Sequence, residues 1–372
     1  MGVTTRPAQP PFMARLQEGL STLPRRVAQS KMAYLYIAPA AIVMALITVS
    51  PILFQTYMAF TNYAVKHLNP KFSPQFIGLD NFIQIATNQT AIENFNFWRI
   101  LTFDLVWTFS NIAIHVTTGI VLALILNYKG LIAKKIYRAL YMIPWVMPGL
   151  IVAVVWRNMF DTEFGAINQF LTMLVKPLYD VGLMPGIRQA LLNVPFLTGF
   201  ANSIPATQEM LKIRWLLQPN PIVDLGGLLV LPLSFFAVLI VNCWLGWPFM
   251  MTVATGALQS IPLELYEAAR VDGASRWQQF WSITAPLLRP AMIPAVMLSI
   301  IWTFNQFNVI YFVSQGGPFG LTEILVTQAF KLVNPRGAYG LASAFNIIVF
   351  LVLLIITLTT NRVSRATEAY NV

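Results

Sequence analysis

Long apolar runs without charge alternate with short polar segments along this chain. Six such runs cover residues 32–65, 105–128, 139–156, 225–263, 290–322 and 337–361. A helix needs about 20 residues to cross ~30 Å of hydrocarbon, because each residue adds about 1.5 Å. Five runs exceed that length, and the run at 139–156 lies near the lower limit. The pattern therefore predicts an all-α, polytopic membrane protein with six transmembrane helices.

The six spans are predicted at about residues 33–60, 99–127, 137–160, within 227–260, 291–313 and 339–360. Pro144 and Pro148 lie in the third span and are expected to bend it, because proline lacks the amide donor that a straight helix needs. Carbonyl groups freed by such a bend require a protein-lined or wet neighbourhood.

Residues 161–224 separate the third span from the fourth and are predicted to form an external insertion on or near the membrane surface. The uncharged stretch at 189–208 contains Asn193, Pro195, Asn202 and Pro205, which disfavour a spanning helix. A seventh span at this place would also move the arginine-bearing C-terminal segment to the outside, against the usual distribution of basic residues.

The placement of charge indicates topology. Only 10% of the residues are charged, against about 25% in soluble proteins, and the formal net charge is +10. Four basic residues occupy the short loop after the second span, namely Lys129, Lys134, Lys135 and Arg138. Short loops rich in Lys and Arg stay in the cytoplasm. We therefore expect residues 1–32, 261–289 and 366–372 inside, contact with membrane lipid, and no nucleic-acid binding.

Within the N-terminal tail, apolar residues recur every three or four positions at Phe12, Leu16, Leu20, Leu23 and Val27. Together with nearby arginines, this spacing is compatible with an amphipathic helix that lies in the plane of the inner leaflet. A disordered tail is the alternative that the sequence leaves open. The transmembrane domain itself is expected over residues 33–365.

No arrangement of residues indicates catalysis or metal binding. The phosphate-binding pattern Gly-x-x-x-x-Gly-Lys-Ser/Thr is absent, Cys243 is the only cysteine, and His67 and His115 each stand alone. Asp104 and His115 could form a proton relay within one span, as in a secondary transporter. The simpler interpretation is that His115 forms a hydrogen bond inside the bundle and Asp104 lies near the outer interface. We expect no catalytic residue, no metal and no cofactor bound by this chain.

The polar segment 261–289 has the pattern of a helix, a turn and a second helix. Pro262 and Glu264 suit a helix N-terminus, where the dipole favours negative charge. Gly273 permits a turn, and Pro286 is expected to end the second helix. Such a segment is either a projecting docking surface or an ordinary loop, and its residue types alone do not decide between the two.

The same segment resembles the EAA loop of binding-protein-dependent ABC importer permeases. The likeness rests on Glu267-Ala268-Ala269, on Gly273 at the family's spacing, and on the ending Ile283 to Pro286, where Ala285 replaces the usual Leu. The resemblance implies that this segment fits a cleft in a cytoplasmic ATPase subunit. The residues implied in this coupling are Glu267, Ala268, Ala269, Asp272, Gly273, Ile283 and Pro286.

Five further motifs resemble the carbohydrate branch of this family, in particular the maltose and maltodextrin importers. They lie at residues 144–148, 164–168, 242–248, 258–262 and 316–318. The resemblance implies a type I ABC importer permease fold that translocates a sugar such as maltose, maltodextrin or trehalose by alternating access. The implied partners are a second homologous permease subunit, two cytoplasmic ATPase subunits that bind ATP and Mg²⁺, and an extracytoplasmic sugar-binding protein. The alternative from another class is a self-sufficient secondary transporter or channel.

The resemblance also points to eight candidate sugar-binding residues in two groups. They are Asn242, Leu245, Gly246 and Phe249 in the fourth span, and Ser299, Trp302, Thr303 and Gln306 in the fifth. Aromatic rings suit the C–H face of a pyranose, while neutral amides and hydroxyls suit its hydroxyl groups. The second group is spaced by three, one and three residues, which predicts a single helix face. Alternatively, the polar members only connect helices by hydrogen bonds.

Overall fold

The computed structural model describes residues 31–364, except for residues 91, 93–94, 129, 195–196, 203, 206–210 and 335. It divides into two units, Met1–Met58 and Ala59–Val372. The amphipathic helix predicted over residues 12–27 and the tail at 366–372 lie outside the described residues.

The first unit holds nearly all of one long apolar helical segment. This segment consists of α1 (Lys31–Met44), a π-turn (Ala45–Val49) and α2 (Ser50–Ala59). Its stretch Tyr34–Ala59 is long and apolar enough to cross a membrane. The segment agrees with the first predicted span.

The second unit is also helical in most of its length. Its elements are α3 (Asp80–Ala86), α4 (Phe97–Asn127), α5 (Lys134–Val146), α6 (Gly149–Met159), α7 (Ala166–Asp180), α8 (Met184–Leu192), α9 (Thr198–Asn202), α10 (Leu233–Gln259), α11 (Leu263–Val271), α12 (Arg276–Gln279), α13 (Ala285–Phe304), α14 (Phe307–Val309), α15 (Leu325–Val333) and α16 (Tyr339–Ser364). A 3₁₀ turn (Val65–Leu68) and two further π-turns (Phe280–Thr284 and Ile310–Ser314) complete the helical structure.

Within the described residues, five helical segments are long and apolar enough to span a membrane, and a bent pair raises the number to six. In the second unit these are Phe97–Asn127, Leu233–Gln259, Arg276–Ser314 and Tyr339–Thr360. The bent pair is α5 with α6, which meet at 90°. The prediction of an all-α membrane protein with six spans is therefore confirmed.

The bend between α5 and α6 follows from Pro148. Met147 leaves helical geometry (ψ 136°), and Pro148 precedes α6 in a similar extended conformation (ψ 124°). The residue before a proline is disfavoured in the α region, because the proline ring collides with it there. The bend predicted for the third span is thus confirmed.

The fourth span, Leu233–Gln259, lies within the predicted range 227–260, and a β-hairpin occupies the start of its apolar run. Strand β1 (Val223–Leu225) pairs antiparallel with β2 (Leu229–Leu231) in the register Val223↔Leu231. Gly226 and Gly227 between them have φ of 67° and 76°, which glycine adopts at no steric cost. Among the described residues, this hairpin is the only β-sheet.

The prediction that Pro286 ends the helix after Gly273 is wrong. The chain stays helical from Arg276 to Phe304, and Pro286 lies in the first turn of α13. Immediately before it, the π-turn Phe280–Thr284 widens the helix. A wider turn leaves room for a proline ring that would otherwise collide with the preceding carbonyl groups.

The segment 161–224 forms a small folded region. Its apolar residues Met184, Ile204, Leu211 and Ile213 are buried together with Leu233 at the start of α10. The fully buried Asn168 donates to the carbonyl of Ile213 (3.1 Å) and accepts from the indole of Trp215 (2.9 Å). The uncharged stretch at 189–208 contains only α9 and the end of α8 as helices among its described residues.

Helices α4, α10 and α13 pack against one another at the centre of the second unit. One close approach is at Gly119 of α4, where a β-carbon would lie 2.5 Å from the Cβ of Met250. Such contact between backbones requires glycine, and small residues at crossings are typical of membrane helices. This arrangement brings the polar side chains of the three helices to one place.

Candidate functional site

A cavity of about 180 Å³ lies beside α4, α10 and α13, next to the bend between α5 and α6. This central cavity is lined by His115, Trp145, Gly149, Asn242, Leu245, Gly246, Phe249, Ser299, Trp302, Thr303 and Gln306. All eight residues that the sequence suggested for sugar binding are therefore brought together in one cavity. Three more, His115, Trp145 and Gly149, were not among the predicted sugar-binding residues, although Trp145 belongs to the motif at 144–148.

One wall is a face of α10. Asn242, Leu245, Gly246 and Phe249 follow the three–one–three spacing of a single helix face. Asn242 is buried, with 3% of its surface exposed. An amide in this position presents both a donor and an acceptor within an otherwise apolar span.

The opposite wall comes from α13 and the break after it. Ser299, Trp302 and Thr303 lie on α13, but the helix ends at Phe304. Gln306 stands in a non-helical conformation (ψ 71°) before the short helix α14. The prediction that one helix face carries all four residues is therefore wrong for Gln306, although Gln306 still lines the cavity.

A closed set of hydrogen bonds, which we call the polar ring, joins these walls. The side chain of Gln306 donates to Asn242 Oδ1 (3.0 Å), and Asn242 Nδ2 donates to Asn111 Oδ1 (2.9 Å). Asn111 Nδ2 donates to the carbonyl of Trp107 (2.8 Å). The ring closes at the Thr303 carbonyl, which accepts from Trp107 Nε1 (3.1 Å) and from the Gln306 amide (3.1 Å). Three helices are thus fixed in register around the cavity.

His115 adds a polar group that the sequence motifs did not point to. Its Nε2 is 3.0 Å from the carbonyl oxygen of Asn242, as expected for a hydrogen-bonding residue inside the bundle. Its Nδ1 is buried without a hydrogen-bond partner among the described residues. The only signal for His115 in the sequence is that it is polar within an apolar run.

The relay between Asp104 and His115 finds no support in this geometry. Asp104 Oδ2 accepts a hydrogen bond from the amide of Leu325 (3.1 Å), whereas His115 interacts with Asn242. Within the described residues, no hydrogen bond joins the two side chains. Both groups therefore contribute to helix packing in this structure.

Aromatic rings form the apolar side of the cavity. Phe249 stacks on Trp145 (centroids 6.2 Å apart, interplanar angle 27°) and contacts Trp302 at 5.3 Å. Both tryptophans are about half exposed, at 48%. Trp145 reaches this group from α5 because of the bend at Pro148. Flat apolar faces beside neutral polar groups are the usual composition of a carbohydrate site.

The segment between α10 and α13 forms the predicted helical hairpin. Helix α11 follows Pro262, and Gly273 turns the chain with φ 77°. Ser275 and Gln278 form a capping box at the start of α12. The hydroxyl of Tyr266 lies 2.9 Å from that of Thr284 and so ties α11 to the π-turn that continues into α13.

The predicted coupling residues share the exposed side of this hairpin. Glu267, Ala268, Asp272, Gly273 and Pro286 are exposed, whereas Ala269 and Ile283 are half-buried. Val271 and Trp277 are also exposed, at 87% and 69%. No residue of α11 is buried, so this helix presents a surface that is open to a protein partner.

Comparison with known proteins identifies relatives along most of the chain. The sequence is 31% identical over 331 residues to the galactooligosaccharides transport system permease protein GanP of Bacillus subtilis (strain 168), covering 87% of this chain and 68% of GanP. It is 29% identical over 339 residues to the trehalose/maltose transport system permease protein MalF of Thermococcus litoralis, covering 91% and 95% of the two chains.

A solved structure has the same fold. A subunit of a bacterial ABC transporter involved in the import of the acidic polysaccharide alginate is similar with a TM-score of 0.65, over 92% of this chain and 98% of that one, at 21% identity. The family model described as binding-protein-dependent transport system inner membrane component matches residues 116–367, which include the helical hairpin and every residue that lines the central cavity except His115. This chain therefore belongs to the family of inner-membrane components of binding-protein-dependent transport systems.

Proposed function

We propose that this chain is a membrane subunit of an ATP-driven importer of a neutral oligosaccharide of the maltose, maltodextrin or trehalose type. The observation that carries the proposal is the central cavity, where aromatic rings lie beside neutral amides and hydroxyls. Relatives named for galactooligosaccharide, maltodextrin and trehalose/maltose transport support a sugar substrate.

The eight residues proposed for sugar binding include aromatic side chains and hydrogen-bonding side chains. Phe249 and Trp302 contact the apolar face of a sugar ring, while Ser299, Thr303 and Gln306 exchange hydrogen bonds with its hydroxyls. Because His115 Nε2 donates to a carbonyl oxygen, Nδ1 of the neutral ring, which has no partner in the described part of the chain, can accept one more. A volume of about 180 Å³ is below the ~300–1,000 Å³ of a typical ligand site, so we expect one sugar unit to be held at a time in this conformation.

The helical hairpin supplies the mechanical connection to ATP hydrolysis. We propose that Glu267, Ala268, Ala269, Asp272, Gly273, Ile283 and Pro286 bind a cytoplasmic ATPase subunit. ATP and Mg²⁺ then bind to that partner, and this chain binds no cofactor. Because the chain is helical without interruption from Arg276 to Phe304, movement of the hairpin reaches Trp302, about 27 Å beyond Thr284, without passing a flexible loop.

Alternating access follows from this connection. Closure of two ATPase subunits on ATP shifts the hairpins of this chain and of a second homologous permease, and the central cavity opens outward. An extracytoplasmic binding protein delivers the sugar, and hydrolysis restores the inward-open state. The sugar alone cannot drive such a cycle, because a ligand shifts an equilibrium only by its difference in affinity for the two states.

The test is transport by the complete complex in proteoliposomes, with radiolabelled maltotriose as the probe. Uptake should require internal ATP, both ATPase subunits and the binding protein. Phe249→Ala should raise the KM about tenfold, equivalent to ~1.4 kcal/mol. The control Phe350→Ala changes a phenylalanine of α16 that is exposed (61%) and does not line the cavity. Uptake by this chain without ATPase subunits, or equal KM values for the two variants, would contradict the proposal.

A further inference from the structure

A second cavity, of about 170 Å³, lies at the other end of α6 from the central cavity. Gly149 at the start of α6 lines the central cavity, and Arg157 and Asn158 near its end line the second one. The step from Gly149 to Arg157 covers about 12 Å of helix. The neighbouring segment 306–315 also extends from one cavity to the other, since Gln306 lines the central cavity and Gln315 lines the second. The two cavities thus lie one above the other along two packed elements.

The second cavity, which we call the polar cavity, has free hydrogen-bonding groups on its wall. The side chains of Arg157, Asn158 and Gln315 are exposed and form neither an ion pair nor a hydrogen bond with any residue that the structure describes. Asp161 accepts from the backbone amides of Glu163 (2.9 Å) and Phe164 (2.8 Å) through Oδ1 only. Its Oδ2 remains open to a ligand.

This set of groups suits a sugar better than an ion. The positive charge of Arg157 and the negative charge of Asp161 oppose each other, so neither an anion nor a cation is favoured by the wall as a whole. Asn158 and Gln315 add donors and acceptors in pairs, as vicinal hydroxyls require. Leu217, which is exposed, provides apolar surface beside them. An alternative role for Arg157 is to anchor α6 at the membrane interface. That role would not explain why the amides of Asn158 and Gln315 line the same cavity.

An apolar layer separates the two cavities. Val152 and Ala153 of α6 are packed with Val309, Ile310 and Val313, and each has at most 2% of its surface exposed. No hydroxyl of a sugar finds a partner in such a layer, so passage in this conformation would leave polar groups unpaired. A sugar that arrives from the side of residues 161–224 therefore meets the polar cavity first.

We propose that the polar cavity is a second carbohydrate subsite, which holds a sugar unit on the outer side of the apolar layer before it enters the central cavity. The proposal rests on the proposed function, because it requires the segment 161–224 to face outward. It predicts that occupancy of the polar cavity does not depend on the residues of the central cavity.

Protection of an introduced cysteine from an impermeant thiol reagent tests this directly, in a chain whose native Cys243 is replaced by serine. Leu217→Cys places the thiol on the wall of the polar cavity, and Leu225→Cys is the matched control. Both leucines are exposed to a similar degree (61% and 64%), lie in the same part of the chain, and differ in that only Leu217 lines the cavity. The complete complex in proteoliposomes is labelled from outside, with and without maltotriose.

Maltotriose at ten times its Kd should slow labelling of Leu217→Cys about tenfold, since only the unoccupied fraction reacts, and should leave Leu225→Cys unchanged. Adding Arg157→Gln should remove the protection, whereas adding Asn242→Ala should preserve it. Equal labelling rates with and without sugar would overturn the proposal. So would loss of protection with Asn242→Ala, because the effect would then come from the central cavity. Protection by the sugar-free binding protein alone would also overturn it, since a protein side chain would be the occupant.

ATP-driven uptake by the same vesicles separates the two proposals. Uptake of maltotriose without protection of Leu217→Cys removes only the outer subsite. Protection without any uptake by the unsubstituted chain removes the proposed function and leaves a carbohydrate-binding cavity. Protection by a uronic acid oligomer in preference to maltotriose would overturn the assignment to neutral sugars.

Discussion

Replacing Gly246 with alanine tests how closely α4 and α10 approach beside the central cavity. A β-carbon at position 246 would lie 2.1 Å from Cε1 and 2.4 Å from Nε2 of His115. A β-carbon in a folded protein essentially never lies closer than 3.0 Å to a nonbonded atom. Either the imidazole ring or a helix must therefore move by about 1 Å. Movement of the ring breaks its hydrogen bond to the carbonyl of Asn242.

The expected cost can be worked out from these contacts. Overpacking costs about 1–3 kcal/mol, and the lost hydrogen bond about 1 kcal/mol. Alanine gains about 1 kcal/mol over glycine inside a helix. Gly246→Ala should therefore reduce the free energy of unfolding by about 2 kcal/mol, and it should weaken sugar uptake because the wall at Asn242 shifts.

Thermal unfolding of the purified variants provides the measurement, with Gly256→Ala as the control. Gly256 is on the same helix, and a β-carbon there would meet nothing within 4 Å, so this variant should be neutral or slightly more stable. In a His115→Ala background the collision is gone, and Gly246→Ala should then cost nothing. Equal stability of Gly246→Ala and Gly256→Ala, or a cost that persists without His115, would refute the reasoning.

Three further predictions concern charge and topology. Glu267→Ala removes an exposed pair with Arg270 (N–O 3.7 Å), so it should change the free energy of unfolding by less than ~1 kcal/mol and yet reduce ATP-driven uptake; full uptake would contradict its role in coupling. Val271→Cys, at a residue 87% exposed, should react with an impermeant thiol reagent in inside-out vesicles and not in intact cells; the reverse result would invert the proposed topology. Lys331→Met leaves the buried carboxylate of Glu323 without its hydrogen-bonded cation, which should cost about 2 kcal/mol in thermal unfolding, less than for a fully buried pair. Adding Glu323→Gln should restore most of that stability, and a double variant as unstable as the single one would argue against the pairing.

Local periodicity in the sequence predicted the spans, and the resemblance to the importer family pointed to eight residues of the central cavity. The length of an uncharged run matches the thickness of the membrane. The spacing of Asn242, Leu245, Gly246 and Phe249 places them on one face of an uninterrupted helix. Pro148 could be interpreted as a bend because its effect on the preceding residue is local.

Features that depend on contacts between elements could not be predicted in this way. Pro286 remains inside a helix because the π-turn before it leaves space for the proline ring. No residue type predicts a π-turn. The break before Gln306 contains neither proline nor glycine. His115 and Trp145 join the cavity only through packing of their helices. The hairpin at 223–231 did carry a signal, since Gly226-Gly227 stands between apolar residues, as turns of hairpins commonly do.

The polar ring has a consequence for how long cargo stays bound. Its donors and acceptors, from Trp107, Asn111, Asn242, Thr303 and Gln306, satisfy one another. A hydroxyl that enters must replace an existing partner, so each exchange yields little net free energy. Weak holding shortens the residence time, because differences in affinity appear chiefly in the dissociation rate. Because the polar groups of the cavity wall already pair with one another, the sugar is released rapidly on the inner side. A transporter needs this rapid release more than it needs tight binding.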